Sequence, residues 1–559
     1  MRVIFKKFLV KLVKKFFMKV VFINKFLDKE AIYRDPLGIM TLAAMIRPKH
    51  KIFVIEPVRE DVQKRMSEIQ PDVIAYSLRT GYHRYYIDLN LKLKKKYKFI
   101  SIFGGPHVTF YPNVINEEGV DTICQGEADE AFAEFIDVLE QDGDITKVKN
   151  FWVKTPTGII KNEKRPLNPN LDSIPFPDRK MFDNYEEVRI AKVHSFIASR
   201  GCPFKCTYCF NDGMSKSYEG QKYVRRRSVD NVIEEIKICK EKYDLKIAIF
   251  EDDTFNLSRK WLKEFCEKFS KLNLKLLPIG VRAELIDEEQ VQWLKKANCV
   301  SLIFGLESGN ERVRREVLFR NITDEQMIEC ARLLRKHGIG FATENILAIP
   351  TSTLDDDIET LALNLKCKPL YGGAKLMQPY PGTMIYNIAV RMGLFKEKNF
   401  DVLTDFTASS NLKMDNRRER ENLQRLFAIV IRFPFLFRHI RFLIKLRLKP
   451  FYSILHEIFK AYIGVKFMPY RRSLREYYVV FKRFIFSRES IVFFQTDGRN
   501  QDAIYGSSSS SIKKTQVPMK ESPVLLKDSP IVPKKYTMPL KRSQIASDVT
   551  TTAFDSGER

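Results

Sequence analysis

No run of eighteen uninterrupted apolar residues occurs in this 559-residue chain, which excludes an ordinary membrane-spanning helix. No secretory signal opens it. Its nine cysteines are scattered and odd in number, which argues against a disulfide framework. Free thiols place it in a reducing, cytosolic setting. Acid is in deficit, with 69 Asp and Glu against 95 Lys and Arg, a formal charge of +26. Such a surplus fits nucleic acid, an anionic membrane or an acidic substrate. It is unevenly spread. Residues 1–19 hold seven Lys or Arg and no acid, and residues 417–489 carry about half of the net charge, mixed with Phe, Leu and Ile. The hydrophobic content of 44% is ordinary, and the length suits two or three domains.

Three cysteines do cluster. Cys202, Cys206 and Cys209 stand in Ala198-Ser-Arg-Gly-Cys-Pro-Phe-Lys-Cys-Thr-Tyr-Cys-Phe210, a C-x3-C-x2-C run. A closed zinc site needs a fourth ligand nearby, but the next histidine is His337, and Cys239 falls in an expected helix. A ferredoxin run needs a further cysteine before a proline, which is also absent. Three thiolates on one loop suit three irons of a cubane and leave the fourth open to a small molecule. With Tyr208 as the aromatic, the run resembles the motif of the radical S-adenosylmethionine superfamily. The resemblance implies a 4Fe–4S cluster on Cys202, Cys206 and Cys209. It implies S-adenosylmethionine chelated to the open iron and cleaved by one electron from a donor such as flavodoxin or ferredoxin. A 5′-deoxyadenosyl radical then takes hydrogen from an unactivated carbon.

Upstream, residues 18–142 alternate short apolar runs with helical stretches. Strands are expected at 20–23, 52–55, 73–76, 99–103 and 122–124, and helices at 37–46, 61–69, 86–96, 114–118 and 130–139. That is a doubly wound, flavodoxin-like (Rossmann-type) α/β domain, whose ligands bind at the carboxyl ends of the strands. Two loops fall there, Ser77-Leu-Arg-Thr-Gly81 and Gly104-Gly-Pro-His-Val-Thr109. The order Pro36-Leu-Gly38, Pro71-Asp-Val-Ile74, Gly104-Gly-Pro-His107, Gly126-Glu127 is similar to the cobalamin-binding domain that precedes many radical S-adenosylmethionine cores. It implies cobalamin contacts from Ser77, Thr80, Gly104, Gly105, Pro106, His107, Gly126 and Glu127. The D-x-H-x-x-G motif of other cobalamin modules is missing, since the first loop reads Asn24-Lys-Phe-Leu-Asp-Lys-Glu30. Cobalt is then bound without a protein imidazole, and His107 is a loop residue and not a cobalt ligand.

Residues 143–190 read as a stiff, proline-rich linker containing a hairpin. Residues 191–400 alternate strand and helix six times, with strands at 194–198, 247–250, 276–281, 300–304, 341–347 and 373–376. This is a partial (β/α)6 TIM-barrel core with its active site at the carboxyl strand ends, where the cysteine run falls. In the superfamily Glu251 and Asp252 match acids that contact the amino group of S-adenosylmethionine. Arg282 follows the third strand, and Gly305, Glu307 and Ser308 match a G-x-E-S-G stretch near the ligand's methionine or ribose. Tyr208 joins this set. The fifth-strand motif is degenerate, Ala348-Ile-Pro-Thr-Ser-Thr353, and only Pro350 carries over. Gln378-Pro-Tyr-Pro-Gly-Thr383 closes the core.

Residues 401–490 form a basic helical carboxyl-terminal region, read either as a cap over the barrel mouth or as a surface resting on anionic lipid. Residues 1–17 are a basic amphipathic leader, with Met18 an alternative start. Residues 491–559 are expected to be disordered.

Together these features imply a cobalamin-dependent radical S-adenosylmethionine enzyme, a C-methyltransferase before all. The same cofactors serve an oxidative cyclase or ring-forming enzyme of tetrapyrrole or lipid biosynthesis. A non-enzymatic, membrane-associated metal-binding module is the third reading. The expected partners are a small-molecule or lipid-like substrate, an electron donor and a peripheral membrane surface on the cytoplasmic side. No RNA-binding module is visible, which ranks nucleic acid last.

Overall fold

The computed structural model describes residues 17–25, 35–395, 409–467, 470, 473–476 and 478–479. Most of the leader, the rest of the first loop and the tail lie outside them.

The first domain is built on strands β1 (Lys19–Ile23), β2 (Lys51–Ile55), β3 (Val73–Ser77), β4 (Ile100–Gly104) and β5 (Thr122–Cys124), all parallel. Their order, β2-β1-β3-β4-β5, is the doubly wound arrangement expected. Val20 through Ile23 are buried on both faces, which is why they read as an unbroken apolar run. Helices Leu37–Ile46 and Asp129–Glu140 cover one face of the sheet. Helices Val62–Ile69 and His83–Lys94 cover the other. Two expectations change. The 114–118 helix is a 3-10 turn, Pro112–Asn116, and the glycine loop after β4 runs at once into a short helix, Pro106–Phe110. Gly105 starts that helix at φ +92°, a conformation open to glycine, and Pro106 presets its first turn.

The hairpin of the supposed linker belongs to this domain. Strands β6 (Phe151–Thr155) and β7 (Gly158–Lys161) extend the sheet antiparallel, with Ile123 opposite Trp152. Phe151 and Val153 bury into the same face as Phe132 and Phe135, and this burial pulls the hairpin in.

The second domain carries β8 (Val193–Phe196), β9 (Ser199–Arg200), β10 (Arg225–Arg226), β11 (Ile247–Phe250), β12 (Lys275–Pro278), β13 (Ser301–Glu307), β14 (Gly340–Leu347) and β15 (Tyr371–Leu376). Two parallel sheets, β8-β11-β12 and β13-β14-β15, are joined by parallel bridges at Leu276–Cys299 and Val281–Phe304, giving an incomplete six-stranded barrel. Its helices are well capped. Thr323 and Thr353 both form capping boxes, and Ser228 and Ser258 accept from the first turns they open.

The open edge at β15 is covered by helix Arg417–Arg432. Gln424 Nε2 donates to Ala374 O at 3.1 Å, and Phe427 and Ile431 pack on Gly372. Helix Lys449–Phe467 follows and ends at the amino ends of the strands, where Ser301 Oγ donates to Phe467 O at 2.6 Å. Phe467 and Tyr470 pack there on Ile247, Ile249 and Leu277. The carboxyl-terminal region is therefore helical, as expected, but it seals the edge and the base of the barrel and not its mouth. Its basic residues are not all solvated either, since Arg420 is buried on Asp357 at 2.7 Å. Among the described residues no helix is long and apolar enough to cross a membrane.

One buried charge set joins the domains. Arg179, in the connector, donates from Nη1 to Glu235 at 2.7 Å and from Nη2 to Ser195 O at 2.6 Å. Asp35, from the first domain, accepts the Ser195 N–H at 2.6 Å and lies 3.1 Å from His194 Nδ1. Burial alone would lift the Asp35 carboxyl. His194 and Arg179 beside it, with the Ser195 N–H, hold it below its ordinary value.

Removing one partner from such a set strands the other charges. Arg179→Met should cost about 3–5 kcal/mol, read as a lowered urea midpoint. A second prediction concerns pH. His107 is buried, its Nδ1 2.9 Å from Thr80 Oγ1 and its ring 4.1 Å from that of His83. Burial, then His83, pushes it down to about 3 from the usual 6.5. Below the usual value the unfolded chain takes up a proton that the folded chain refuses, so stability falls as pH falls. About 1.6 kcal/mol should go between pH 6.5 and 5. His107→Gln should flatten that slope in melting curves.

Candidate active site

The cysteine run leaves β8 at the carboxyl end of the barrel. Its base is clamped by the antiparallel pair β9 and β10, Arg200 facing Arg225. Gly201 turns the chain at φ +86°, and a side chain there would meet Tyr223 O at 2.6 Å. The Thr207 N–H donates to Leu318 O at 3.1 Å and its hydroxyl to Val317 O at 2.6 Å, while Thr207 O accepts from Ile385. Ile385 opens the helix that follows the Gln378–Thr383 stretch, so that stretch packs onto the loop. All three thiols are free, Cys206 buried and Cys202 and Cys209 half-buried. Among the described residues no three His, Cys, Asp or Glu side chains converge on a single ion.

The surroundings suit a negatively charged cluster. Arg282 Nη1 lies 3.8 Å from Cys206 Sγ, and its guanidinium stacks 3.8 Å over Phe204. Thr254 Oγ1 is 3.2 Å from Cys202 Sγ, and Asn211 Nδ2 donates to Cys209 Sγ at 3.7 Å. Burial raises the Cys202 thiol and pushes Cys209 up to about 12. Iron would displace the thiol protons on binding.

Other expected residues fall around this loop, though not all face it. Asp252 is buried, accepting from Ser199 Oγ and from the Ala198 N–H at 3.2 Å, and it fixes the turn into the loop. Glu251 accepts from Ser195 Oγ at 2.8 Å. The acid that faces the cysteines is Asp253, which accepts the Gly201 N–H at 3.0 Å and bonds Asn211. Asp252 thus has its partners within the fold, and Asp253 is the acid turned toward the cysteine loop. Glu307 stands at φ +68° in a register bulge and accepts from Tyr208 Oη at 2.9 Å. Burial raises Glu307, against the opposing charge of Arg320. Arg320 Nη2 donates to Gly305 O at 2.5 Å. A side chain at Gly305 would collide with Glu307 Oε1 at 2.1 Å. Ser308 holds a turn, accepting from the Asn310 N–H at 3.3 Å, with its carbonyl on Arg314. Asp253, Thr254 and Arg320 escaped the sequence reading. The first two sit in the acidic motif at the end of β11, but Arg320 is followed by no motif.

A cavity of about 390 Å³ lies beside the loop, between the domains. Ser77, Gly104, Gly105, Pro106, Gly126 and Glu127 line it from the first domain. Ile197, Ser199 and Arg200, directly before the cysteines, line it from the second. Its inner wall is apolar, with Phe22, Leu37, Ile102 and Phe132, which suits a flat aromatic base. Gly126, at φ +74°, lies against Tyr218, whose hydroxyl a Cβ would approach to 2.0 Å. Glu127 pairs with Arg200 at 2.8 Å and with Arg225. Thr80 and His107 do not line the cavity. They bond each other under the loop, because His107 turns into the domain core. The donors and the cleft fit a cluster and a cobalamin nucleotide tail.

Two family models match. One, the radical SAM superfamily, covers residues 196–363, and the other, the B12 binding domain, covers residues 33–136. An uncharacterized methyltransferase of Pyrococcus horikoshii is 29% identical over 391 residues, 68% of this chain and 83% of that one. The anaerobic magnesium-protoporphyrin IX monomethyl ester cyclase of Rubrivivax gelatinosus is 23% identical over 390 residues, 67% of this chain and 68% of that one. Among solved structures, the radical S-adenosylmethionine methyltransferase TsrM from Kitasatospora setae, with cobalamin and cluster bound, superposes with a TM-score of 0.57 at 15% identity, covering 68% of this chain and 76% of that one. The cobalamin-dependent S-adenosylmethionine radical enzyme OxsB gives 0.58 at 17%, covering 84% and 75%. With both domains matched and a site that fits their cofactors, the chain belongs to the cobalamin-binding-domain-containing radical S-adenosylmethionine enzymes, whose cofactors are a 4Fe–4S cluster, S-adenosylmethionine and cobalamin.

Proposed function

We propose that the protein is a C-methyltransferase acting on an unactivated carbon of a small, lipid-like molecule. The observation that carries this is the shared cavity, whose wall passes from the glycine loops of the first domain to Arg200 within two residues of Cys202. When bound, the cofactors supply a 5′-deoxyadenosyl radical and a transferable methyl group. The chain's own residues bind and orient. Cys202, Cys206 and Cys209 hold the cluster, and Arg282, whose Nε and Nη2 are held by Glu284, turns its Nη1 toward Cys206. Asp253, Glu307 and Tyr208 offer polar contacts to S-adenosylmethionine on the cysteine side of the barrel. Ser77, Gly104, Gly105, Pro106, Gly126 and Glu127 take cobalamin. The Arg200–Glu127–Arg225 ion pairs keep the two cofactor walls at a fixed distance. An electron donor of flavodoxin or ferredoxin kind completes the system. The carboxyl-terminal surface supports contact with a membrane.

Oxidative cyclisation is the second reading, supported by relatives that carry the name of an anaerobic cyclase in three organisms. Product analysis separates the two. The reconstituted enzyme, reduced anaerobically with S-adenosylmethionine and a lipid extract, should release 5′-deoxyadenosine and S-adenosylhomocysteine together. Deoxyadenosine alone would sink methyl transfer and favour the cyclase.

The two cofactor sites should also fail separately. Cys206→Ala should lose the iron and its visible absorbance, and deoxyadenosine release should drop by more than a hundredfold, with cobalamin retained. Gly126→Val, which drives a side chain into Tyr218, should lose cobalamin but keep the iron. Loss of both cofactors in each variant, by metal analysis and absorbance, would argue against separate sites.

A further inference from the structure

Fifteen large apolar side chains stand exposed among the described residues, and ten of them lie between Phe433 and Tyr478. On helix Lys449–Phe467 the exposed ones are Phe451, Ile454, Ile458 and Tyr462, at 57%, 62%, 62% and 48%. Their spacing of three, four and four puts them in one stripe along the helix. The opposite side packs inward through Tyr452, Phe459 and Ile463. Further exposed apolar groups flank the stripe at both ends. Tyr462 lies by Arg432, next to Phe433 and Phe435. At the other end Tyr452 Oη donates to Leu443 O at 3.0 Å, beside exposed Phe442, and Leu448 precedes the helix.

Charge around this face has one sign. Residues 432–467 hold eight Lys or Arg and a single acid, Glu457. Arg441 and Lys449 pair with Asp355 and Glu421. Arg432, Arg438, Lys445, Arg447, Lys460 and Lys466 have no ion pair with a described carboxylate. Lys466 lies 4.8 Å over the Tyr462 ring, and Arg432 lies 5.9 Å over that of Phe433, so cations rim the apolar side chains.

We propose that this face is a docking surface for an anionic lipid bilayer, with helix Lys449–Phe467 lying in the plane of the interface. An apolar stripe enters the acyl boundary while Lys and Arg reach the headgroups. A second copy of the chain would bring like charge against like. Single-stranded RNA could stack on the aromatic side chains of this face, but exposed Leu448, Ile454 and Ile458 give a base nothing to stack on, whereas an acyl boundary takes aromatic and aliphatic groups alike. The inference deepens the lipid-like substrate reading, yet it is tested without reference to the reaction.

The test is flotation of the full chain, as the anaerobically reconstituted holoenzyme, with vesicles of phosphatidylcholine alone or with a third phosphatidylglycerol. The native chain should float with the anionic vesicles and at least tenfold less with neutral ones, and salt should weaken binding. The variant F451S/I454S/I458S should bind the anionic vesicles at least tenfold less, while its iron content and melting temperature stay unchanged. Its first seventeen residues are untouched, so equal flotation of variant and native chain would assign binding elsewhere and overturn the proposal. Absence of flotation by the native chain would overturn it too. So would a native dimer that the substitutions split, seen by light scattering, or RNA retention lost in the variant, if either came without flotation. Deoxyadenosine release in detergent by the variant would show that docking and chemistry fail independently.

Discussion

Arg179 sits where three parts of the chain meet, and the cofactor cavity depends on that meeting. Its guanidinium takes Glu235 from a helix of the barrel and the Ser195 carbonyl from the first barrel strand. It lies 4.9 Å over the Phe196 ring and 3.9 Å from Asp35 of the first domain. Glu235 is shared with Arg227, which also holds Ile197 O at 3.0 Å. A buried charge is costly unless its hydrogen bonds and counter-charges are all in place, and here they are in place only when the domains are docked. The connector therefore does not act as a tether. Asp178 N–H bonds Met40 O, Arg225 bonds Asn168 O, and Pro175, Phe176 and Pro177 form part of the cavity wall. A cofactor shared between domains needs walls at a fixed separation, and this network fixes it.

The same constraint explains what could be read in advance. Strands such as β1, β3 and β11 are legible because each is an apolar run buried on both faces, and the cysteine run because metal ligation demands close spacing. What was not visible depends on contacts across the chain. The 151–161 hairpin reads locally as an independent turn of chain, and only its pairing with β5, backed by Phe135 stacking on Phe151 at 4.2 Å, makes it part of the sheet. In Glu251-Asp252-Asp253 the three acids are equivalent on paper. The fold separates them by giving Asp252 to Ser199 and Ala198 and turning Asp253 to the loop. His107 looked like a loop residue beside a ligand. Its ring instead stacks on His83, 24 positions earlier in the chain and brought beside it by the fold.

The carboxyl-terminal helices show one segment meeting two demands. An incomplete barrel leaves β15 with an unpaired edge, and helix Arg417–Arg432 closes it with an almost wholly buried surface. That is why its arginines depart from the usual solvated role. Arg420 is neutralised by Asp357, and Arg425 is held by Ser453 Oγ and Glu421 O. Having covered the edge, this helix cannot also present an apolar face to the outside. Helix Lys449–Phe467 does so instead. It packs on the first through Tyr452 and Phe459 and leaves Phe451, Ile454 and Ile458 outward. Its inner face is already satisfied by the core. The apolar side chains on its outer face therefore add nothing to the fold as it stands, and a surface that the fold does not need is best explained by contact with something outside it.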